Sequence, residues 1–588
     1  MRRAAGLAVA VAVAMFAAGG LARASDAALP TGPAITIADP EADTRRIAEG
    51  HLRRAREHFD ASVTMAKQGQ YLAMDGFYVA CEEAWNAVWT CPGARDILQE
   101  AAWIYADALA GFLETACERG RLRPEGIWVG PRSKPVLVPF VPKALPIDPA
   151  LIGGIESAQL PDDSRISRRI VRAGFGLPVV VRVREPAAGR DAAFMPDRQS
   201  LAATAVLRFR MPGDENFLES FAGPAYRDHA AAVLDLANPV EVAAVKIGPA
   251  KPHLAADLTA PLLDMLAAKP RTDAVQGFIQ PFGRGDTRPR LEMLEPHQPG
   301  RIPVVFIHGL ASDEGTWFDM INELRGWPDF HRRFEPWVYQ YPTGAAFLQS
   351  SAVLRRELAR AVAALDPQGS DPALRRIVLV GHSMGGLHAK AQVVAPGNSL
   401  WEAIAYGPFE SLRLPPQWKS RARAAYFFEP ASNVTRIVCI ATPHRGSILA
   451  SLGVGRAASL AVKAPPEAQA LHDAAVAMNP GLFKPEFAKR VPTTIDLLEP
   501  SSGLLQALEV LRPACWVAVH SVVGTGHVSV TGGRDDCVVS EASAHTEGAK
   551  SEIAVPATHT KVHHHPGTIA EVQRILAEHL RECGEPGR

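Results

Sequence analysis

Cysteine is scarce in this chain of 588 residues, with seven positions in all: 81, 91, 117, 439, 515, 537 and 583. The odd number leaves at least one thiol unpaired within the chain, although the first three lie close enough in sequence for one disulfide, and none has the spacing of a zinc motif. Charge of one sign is lacking too, since 62 Lys and Arg balance 62 Asp and Glu. This balance, with no basic run that includes aromatic residues, argues against a nucleic-acid partner.

Long hydrophobic runs are lacking after the first residues of the chain, so we predict no transmembrane segment in a mature protein. At the start, Arg2 and Arg3 precede an Ala- and Val-rich stretch up to about Ala18, and Ala22-Arg23-Ala24 follows as a small-x-small site. This is the pattern of a signal peptide over residues 1–24, and it predicts export to the periplasm or secretion. The alternative is an uncleaved membrane anchor.

The length is too great for a single hydrophobic core, and the composition, with 47% apolar and 21% charged residues, is that of a globular protein. Residues 42–120 have apolar side chains at helical spacing and predict a helical region, resembling tetratricopeptide hairpins, that could bind a protein partner or simply pack on the rest. Residues 121–180 are rich in proline and predict irregular structure. A small β-rich domain, 175–270, is predicted from three β-favouring stretches: Pro178–Arg184, Leu201–Phe209 and Val240–Ile247. Its expected form is a sandwich.

The most informative stretch is Ile377–Leu387, which reads Ile-Val-Leu-Val-Gly-His-Ser-Met-Gly-Gly-Leu. Four β-favouring apolar residues predict a buried parallel strand, and the G-x-S-x-G that follows predicts a sharp turn into a helix. Glycine is expected at 381 and 385, since side chains there would collide with the neighbouring strand and helix. The turn would expose the hydroxyl of Ser383 as a nucleophile.

Three segments together carry a family resemblance: Ile377–Leu387, the run Val-Val-Phe-Ile-His-Gly-Leu at 304–310, and Ala-Thr-Pro-His-Arg-Gly-Ser at 441–447. They resemble the α/β-hydrolase superfamily, in its lipase and esterase branch that includes GPI inositol-deacylase-like proteins. The resemblance implies an α/β fold for 301–588, a mostly parallel sheet flanked by helices. It does not extend to the N-terminal half, and residues 280–300 are predicted to be a linker.

The resemblance also implies a triad in the order Ser, acid, His and an oxyanion hole formed by backbone amides. The amides of Leu310 and Met384 are expected to form that hole, with His308 structural. The run Asp535-Asp536-Cys537-Val538-Val539 resembles the family's Asp-Gly-Val-Val and assigns the acid to Asp536, with Cys537 in place of glycine. Weaker choices are Asp535, then Glu541 and Glu429.

The base is expected in the loop before the last helix, which we predict over Thr568–Leu580. His559 fits the family pattern best and His563 is the alternative, while His444 and Arg445 are candidates for the wall of the active site. The adjacent histidines 563–565 could form a weak metal-binding tract, but they lack a partner ligand in sequence. We therefore predict no metal and no cofactor.

These residues predict an exported serine hydrolase that cleaves carboxylic esters. Two insertions, at about 396–430 and 449–511, resemble lids, and the aromatic content of the first favours lipid or other apolar acyl esters. One alternative is an acyltransferase with the same chemistry. Another is a binding or scaffold protein whose hydrolase domain is vestigial. Amide substrates also stay open, since a triad does not choose between acyl compounds.

Overall fold

The structure is a computed structural model. It describes residues 42–184, 192–212, 217, 231–268, 289–344, 346–447, 466–489, 493–528 and 533–584. The predicted signal peptide, 1–24, lies outside the described residues. Within the described residues, no helix combines the length and the apolar character needed to cross a membrane.

The elements alternate between helices and strands along the whole chain. The α-helices are α1 (Ala42–Lys67), α2 (Ala73–Thr90), α3 (Arg95–Glu118), α4 (Ala260–Ala267), α5 (Phe318–Arg325), α6 (Pro328–Arg333), α7 (Phe347–Leu365), α8 (Met384–Val393), α9 (Ser399–Glu402), α10 (Pro416–Tyr426), α11 (Pro466–Met478), α12 (Pro485–Ala488), α13 (Thr494–Leu497), α14 (Gly503–Glu509), α15 (Glu541–Ala544) and α16 (Pro566–Glu582). The strands are β1 (Leu122–Arg123), β2 (Gly126–Val129), β3 (Val136–Lys143), β4 (Ile152–Ser157), β5 (Val171–Arg172), β6 (Leu177–Val183), β7 (Gln199–Phe209), β8 (Ala232–Ala237), β9 (Ala256–Asp257), β10 (Arg290–Met293), β11 (Ile302–Ile307), β12 (Phe334–Gln340), β13 (Ile377–His382), β14 (Val434–Ile440), β15 (Ala518–Gly524), β16 (His527–Val528), β17 (Arg534–Asp535) and β18 (Ser551–Val555).

The N-terminal half is built on a seven-stranded sheet in the order β1-β2-β3-β8-β7-β6-β4. Helices α1 to α3 form one hydrophobic core with this sheet. In that core the ring of Trp85 lies 6.3 Å from that of Phe209, and the Tyr105 hydroxyl donates a 2.6 Å hydrogen bond to the Leu207 carbonyl. Side chains alternate along β7, so Ser200 faces the other side, where its hydroxyl donates to Asp264 of α4. The predicted helical region therefore packs on the sheet.

Three expectations for this half differ from the structure. Residues 121–180 are not irregular, because β1 to β5 lie there. Val240–Ile247 is not a strand; it forms a loop with isolated bridges, and the strand is β8, which ends before Pro239. The sheet is covered by helices on both faces, so it is not a sandwich. Proline misled the prediction for 121–180, since Pro139 and Pro142 lie inside β3, which proline frequency alone would exclude.

The C-terminal half is built on a second seven-stranded sheet, in the order β10-β12-β11-β13-β14-β15-β18. All neighbouring strands are parallel except the edge strand β10, which pairs antiparallel with β12. β10 lies in the segment that sequence analysis treats as a linker, and its residues Leu291 and Met293 are buried. The two halves share a core, since Leu262 and Met265 of α4 pack with the apolar residues of β11 and α5.

Polar contacts also join the two halves at α5. The Ser167 amide donates a 2.7 Å hydrogen bond to Asp319, and Arg168 forms a two-pronged pair with Glu323 at 2.7 and 2.6 Å. The other Asp319 oxygen lies 3.3 Å from His564 Nδ1. The N-terminal half thus contacts a helix that also supports the segment leading into α16.

Candidate active site

Ser383 sits at the sharp turn between β13 and α8, in a left-handed conformation with φ 54° and ψ −125°. The glycines around it are required by close backbone approaches. A Cβ on Gly381 would lie 2.3 Å from the Gly385 carbonyl oxygen, and one on Gly385 would lie 2.1 Å from that of Ile307. A Cβ on Gly386 would lie 1.8 Å from Thr442 Oγ1. The collisions expected for 381 and 385 are therefore present, with α8 and with β11.

Three side chains distant in sequence meet at this turn. His559 Nε2 lies 2.8 Å from Ser383 Oγ, and His559 Nδ1 lies 2.7 Å from Asp536 Oδ2. All three residues are buried, with Asp536 exposed by only 1%. Since a carboxylate oxygen only accepts, Nδ1 carries the proton and Nε2 is free to accept one from the serine hydroxyl. The arrangement can deprotonate Ser383 and stabilise the resulting imidazolium.

The Asp536 carboxylate is fixed by the backbone that follows it. Its Oδ1 accepts hydrogen bonds from the amides of Val538 at 2.9 Å and Val539 at 2.7 Å, which leaves Oδ2 for His559. The His559 amide in turn donates to the Asp536 carbonyl at 2.8 Å. Cys537 has φ 78°, the conformation that glycine in the family's Asp-Gly-Val-Val run would adopt most easily. The loop geometry is thus compatible with cysteine at this position.

The alternative residues from sequence analysis lie elsewhere. Asp535 Oδ1 lies 2.6 Å from His527 Nδ1, and His563 Nε2 lies 2.7 Å from Thr316 Oγ1, so neither contacts Ser383. His564 contacts Asp319, and the side chain of His565 accepts from the Gly567 amide at the start of α16. The three adjacent histidines point to separate partners, so they do not form the metal tract considered above.

The amides expected to hold an oxyanion lie on both sides of Ser383. Met384 is the first residue of α8, so its N–H has no acceptor within the helix. On the other side the loop passes close by, since a Cβ on Gly309 would lie 2.9 Å from Ser383 Cβ, and Leu310 follows directly. The next residue, Ala311, has φ 52° and donates to Thr343 Oγ1. The loop therefore presents its backbone towards the serine.

His308 holds that loop from behind. Its ring stacks on Tyr341 at 4.4 Å, its Nδ1 donates to the Gly309 carbonyl, and its Nε2 accepts from the Tyr341 amide. Burial lowers the pKa of His308, so the ring is neutral as this bonding pattern requires. These contacts support the structural role that the sequence analysis gives it.

His382 makes a contact that sequence analysis does not anticipate. Its Nε2 donates a 2.9 Å hydrogen bond to the His559 carbonyl, and its ring lies 4.2 Å from that of His563. Burial and the neighbouring His559 hold the pKa of His382 well below its usual range, so it is a neutral donor. Its place inside G-H-S-M-G was the available signal, because the residue before the nucleophile lies beside the base's loop.

His444 and Arg445 contact the segment 542–546 rather than Ser383. His444 Nε2 lies 3.1 Å from Thr546 Oγ1, and Arg445 donates to the carbonyls of Ala542 and His545. Burial lowers the pKa of His444 to about 3. Both residues therefore join the end of β14 to α15, and the structure does not place them against the serine.

The first insertion begins after α8 has run from Ser383 back across the sheet, and it ends at the start of β14. It therefore joins the sheet at the edge opposite Ser383. Its aromatic residues pack on one another: Trp401 lies 5.0 Å from Phe409 and 5.8 Å from Tyr426, with Phe427 beside Phe409 at 4.9 Å. Their abundance reflects this small core. The second insertion begins at the carboxyl edge of β14, next to the turn with Ser383, and part of it lies outside the described residues.

The parallel sheet and the strand–Ser–helix turn define an α/β-hydrolase domain. Residues 304–572 match the model of the alpha/beta hydrolase family, and this domain belongs to that family, as the sequence predicts.

Solved structures similar to this part include lipase BlEst2 of Bacillus licheniformis in its mature form, with 16% identity over 49% of this chain and 97% of that one and a TM-score of 0.29. Esterase Est2 of Thermogutta terrifontis has 14% identity over 52% and 93%, with 0.27. EstA of Clostridium botulinum has 12% identity over 48% and 87%, with 0.29. These low TM-scores indicate nothing about activity. No curated protein matches the chain in sequence.

Proposed function

We propose that the chain is a serine hydrolase that cleaves carboxylic esters through an acyl-enzyme. The observation that carries the proposal is the pair of hydrogen bonds at 2.8 and 2.7 Å that joins Ser383 to His559 and His559 to Asp536. This order of nucleophile, base and orienting acid is the arrangement that acyl transfer requires.

In the proposed reaction, His559 Nε2 takes the Ser383 proton as Oγ attacks the acyl carbonyl. The amides of Leu310 and Met384 hold the negative oxygen of the tetrahedral intermediate. His559 then gives its proton to the leaving alcohol, and the acyl-enzyme forms. Water, deprotonated by the same imidazole, attacks the acyl group and releases the acid and free Ser383. Asp536 keeps the proton of the imidazole on Nδ1 throughout.

We also propose that the acyl group is apolar, as in lipid esters. The support is the second insertion, which starts next to Ser383 and contributes buried leucines such as Leu498 and Leu504 to the domain core. A series of p-nitrophenyl esters from acetate to palmitate tests this point. We expect kcat/KM to rise with chain length beyond acetate; activity confined to the acetyl ester would refute the apolar acyl group and leave the ester hydrolase intact.

The test of the reaction itself is Ser383→Ala, assayed on the best of these esters. We expect a loss of several orders of magnitude in kcat with the fold unchanged, because the side chain loses only one oxygen. Ser540→Ala, in the cap of α15, is a matched control and should keep full activity. Wild-type turnover in Ser383→Ala would refute the proposal.

Export is a separate part of the proposal and is supported by the pattern of residues 1–24. Fractionation of expressing bacterial cells, with N-terminal sequencing of the product, tests it. We expect a product outside the cytoplasm that starts near Ser25. A product retained in the cytoplasm with Met1 intact would contradict the proposal, and one held in the membrane with Met1 intact would indicate an anchor.

A further inference from the structure

Three potential metal ligands meet in a hairpin beside the proposed acid. β16 pairs antiparallel with β17, which sets His527 opposite Asp535, and Cys537 follows two residues later. Each offers one ligand atom, and these atoms all lie within 4.8 Å of one another. The side chains differ in exposure: His527 is 46% exposed and Cys537 is exposed, whereas the Asp535 carboxylate is 9% exposed. The carboxylate is thus a fixed point with two movable side chains around it.

An imidazole, a carboxylate and a thiolate are the ligand types that zinc takes in proteins. In a tetrahedral zinc site with bonds of about 2.0 to 2.3 Å, neighbouring ligand atoms are about 3.4 to 3.6 Å apart. The His527 Nδ1 to Asp535 Oδ1 distance is 2.6 Å. Small rotations of the two exposed side chains therefore bring the three atoms to zinc-binding distances without any change in the buried carboxylate.

We propose that His527, Asp535 and Cys537 form a binding site for a zinc ion, with water as the fourth ligand. Sequence analysis misses the site, because the ligands follow no zinc-motif spacing and only the hairpin brings His527 back to Asp535. The site does not depend on the proposed esterase activity, since none of its three ligands contacts Ser383 or His559.

The thiol must lose its proton on binding. Slight burial and the carboxylates of Asp535 and Asp536 raise the pKa of Cys537, so at neutral pH the metal-free thiol is protonated. Zinc binding forms the sulfur–metal bond and releases that proton to solvent. Zinc affinity should therefore rise about tenfold for each pH unit between pH 6.5 and 7.5, once imidazole titration is taken into account.

Zinc at this place would act on the proposed acid without touching it. Asp536 lies between two of the ligands, and its carbonyl accepts the His559 amide at 2.8 Å. A metal that joins β16 to the residues on both sides of Asp536 should hold the loop in place. We expect added zinc to raise the thermal unfolding temperature of the protein.

The test is a cobalt(II) titration of the full chain, purified reduced and metal-free, because cobalt replaces zinc and reports thiolate ligation by absorption. We expect one equivalent to bind with a thiolate-to-cobalt charge-transfer band, and one equivalent of zinc to remove the band. Cys537→Ser should abolish the band, and His527→Ala and Asp535→Asn should each weaken binding at least tenfold. Cys515→Ser, which removes an exposed thiol elsewhere, is the matched control and should keep it.

Three results would overturn the site. One is a wild-type protein that binds no cobalt or zinc at tenfold molar excess. Another is a charge-transfer band that persists in Cys537→Ser, which would place the metal on another thiol. The third is unchanged affinity in His527→Ala, which would reduce the site to two ligands. Unfolding temperatures measured alongside show that each variant is folded, so loss of binding is not loss of the protein.

Discussion

Replacing Asp536 with asparagine should abolish most turnover while keeping the fold. Two backbone amides bind Oδ1, so this position must stay an acceptor and the amide nitrogen of asparagine must take the place of Oδ2. That NH₂ group would face His559 Nδ1, 2.7 Å away. The imidazole would then hold its proton on Nε2, which points at Ser383 and can no longer accept the hydroxyl proton.

The size of the loss follows from two contributions. Removing a unit charge about 4 Å from the imidazolium costs about 4 kcal/mol at an effective dielectric constant of about 20. Losing the hydrogen bond to that charged group adds about 1.5 kcal/mol. Together these come to about 5.5 kcal/mol, or about 10⁴-fold in kcat. KM should change little, because the carboxylate does not face the substrate in the proposed reaction.

The assay is release of p-nitrophenol from the butyrate ester at pH 8, with unfolding temperature as the check on the fold. Asp473→Asn, an exposed aspartate on α11, is the control and should keep wild-type kcat. If Asp536→Asn kept more than a tenth of wild-type kcat while folded, the role given to this carboxylate would be wrong.

Further predictions concern the base, the packing of the elbow and pH. His559→Gln should lose about 10⁴-fold in kcat, whereas His563→Gln should lose less than tenfold on the same ester; equal losses would contradict the assignment of the base. Gly386→Ala should lower the free energy of unfolding by about 1–3 kcal/mol in urea titrations, because its Cβ meets Thr442 Oγ1, and adding Thr442→Ala should restore most of it. Burial lowers the pKa of His388 to about 3, below its unfolded value of about 6.5, so the unfolded chain takes up the proton first as pH falls. Stability should thus be full above about pH 6.5 and decrease by about 1.4 kcal/mol per pH unit below it from this residue alone, and a smaller slope is expected in His388→Gln.

The elements at the carboxyl edge of the second sheet were predictable because they combine two independent signals. Ile377–Leu387 carries both the periodicity of a buried strand and the chemistry of a tight turn, and β13 and α8 form there. His559 was predictable only through the family pattern, since nothing in its own sequence neighbourhood distinguishes it from His563. The distinction is made in three dimensions, where Thr316 binds His563 and leaves His559 to face Ser383.

Other features depend on contacts that a sequence does not express. β3 contains two prolines and still pairs on both sides, because its partners accept the missing donors. The aromatic residues near Trp401 suggested a substrate pocket, but composition does not tell a pocket from a core. The hairpin with His527 is similar, because its ligands become neighbours only through strand pairing.

The account depends most on Ser383 being a reactive nucleophile, and labelling with a fluorophosphonate probe followed by mass mapping tests it directly. We expect a single modified peptide that carries the probe on Ser383, with labelling lost in Ser383→Ala and strongly slowed in His559→Gln. Folded protein that takes up no probe, or takes it up equally in Ser383→Ala, would contradict the central claim.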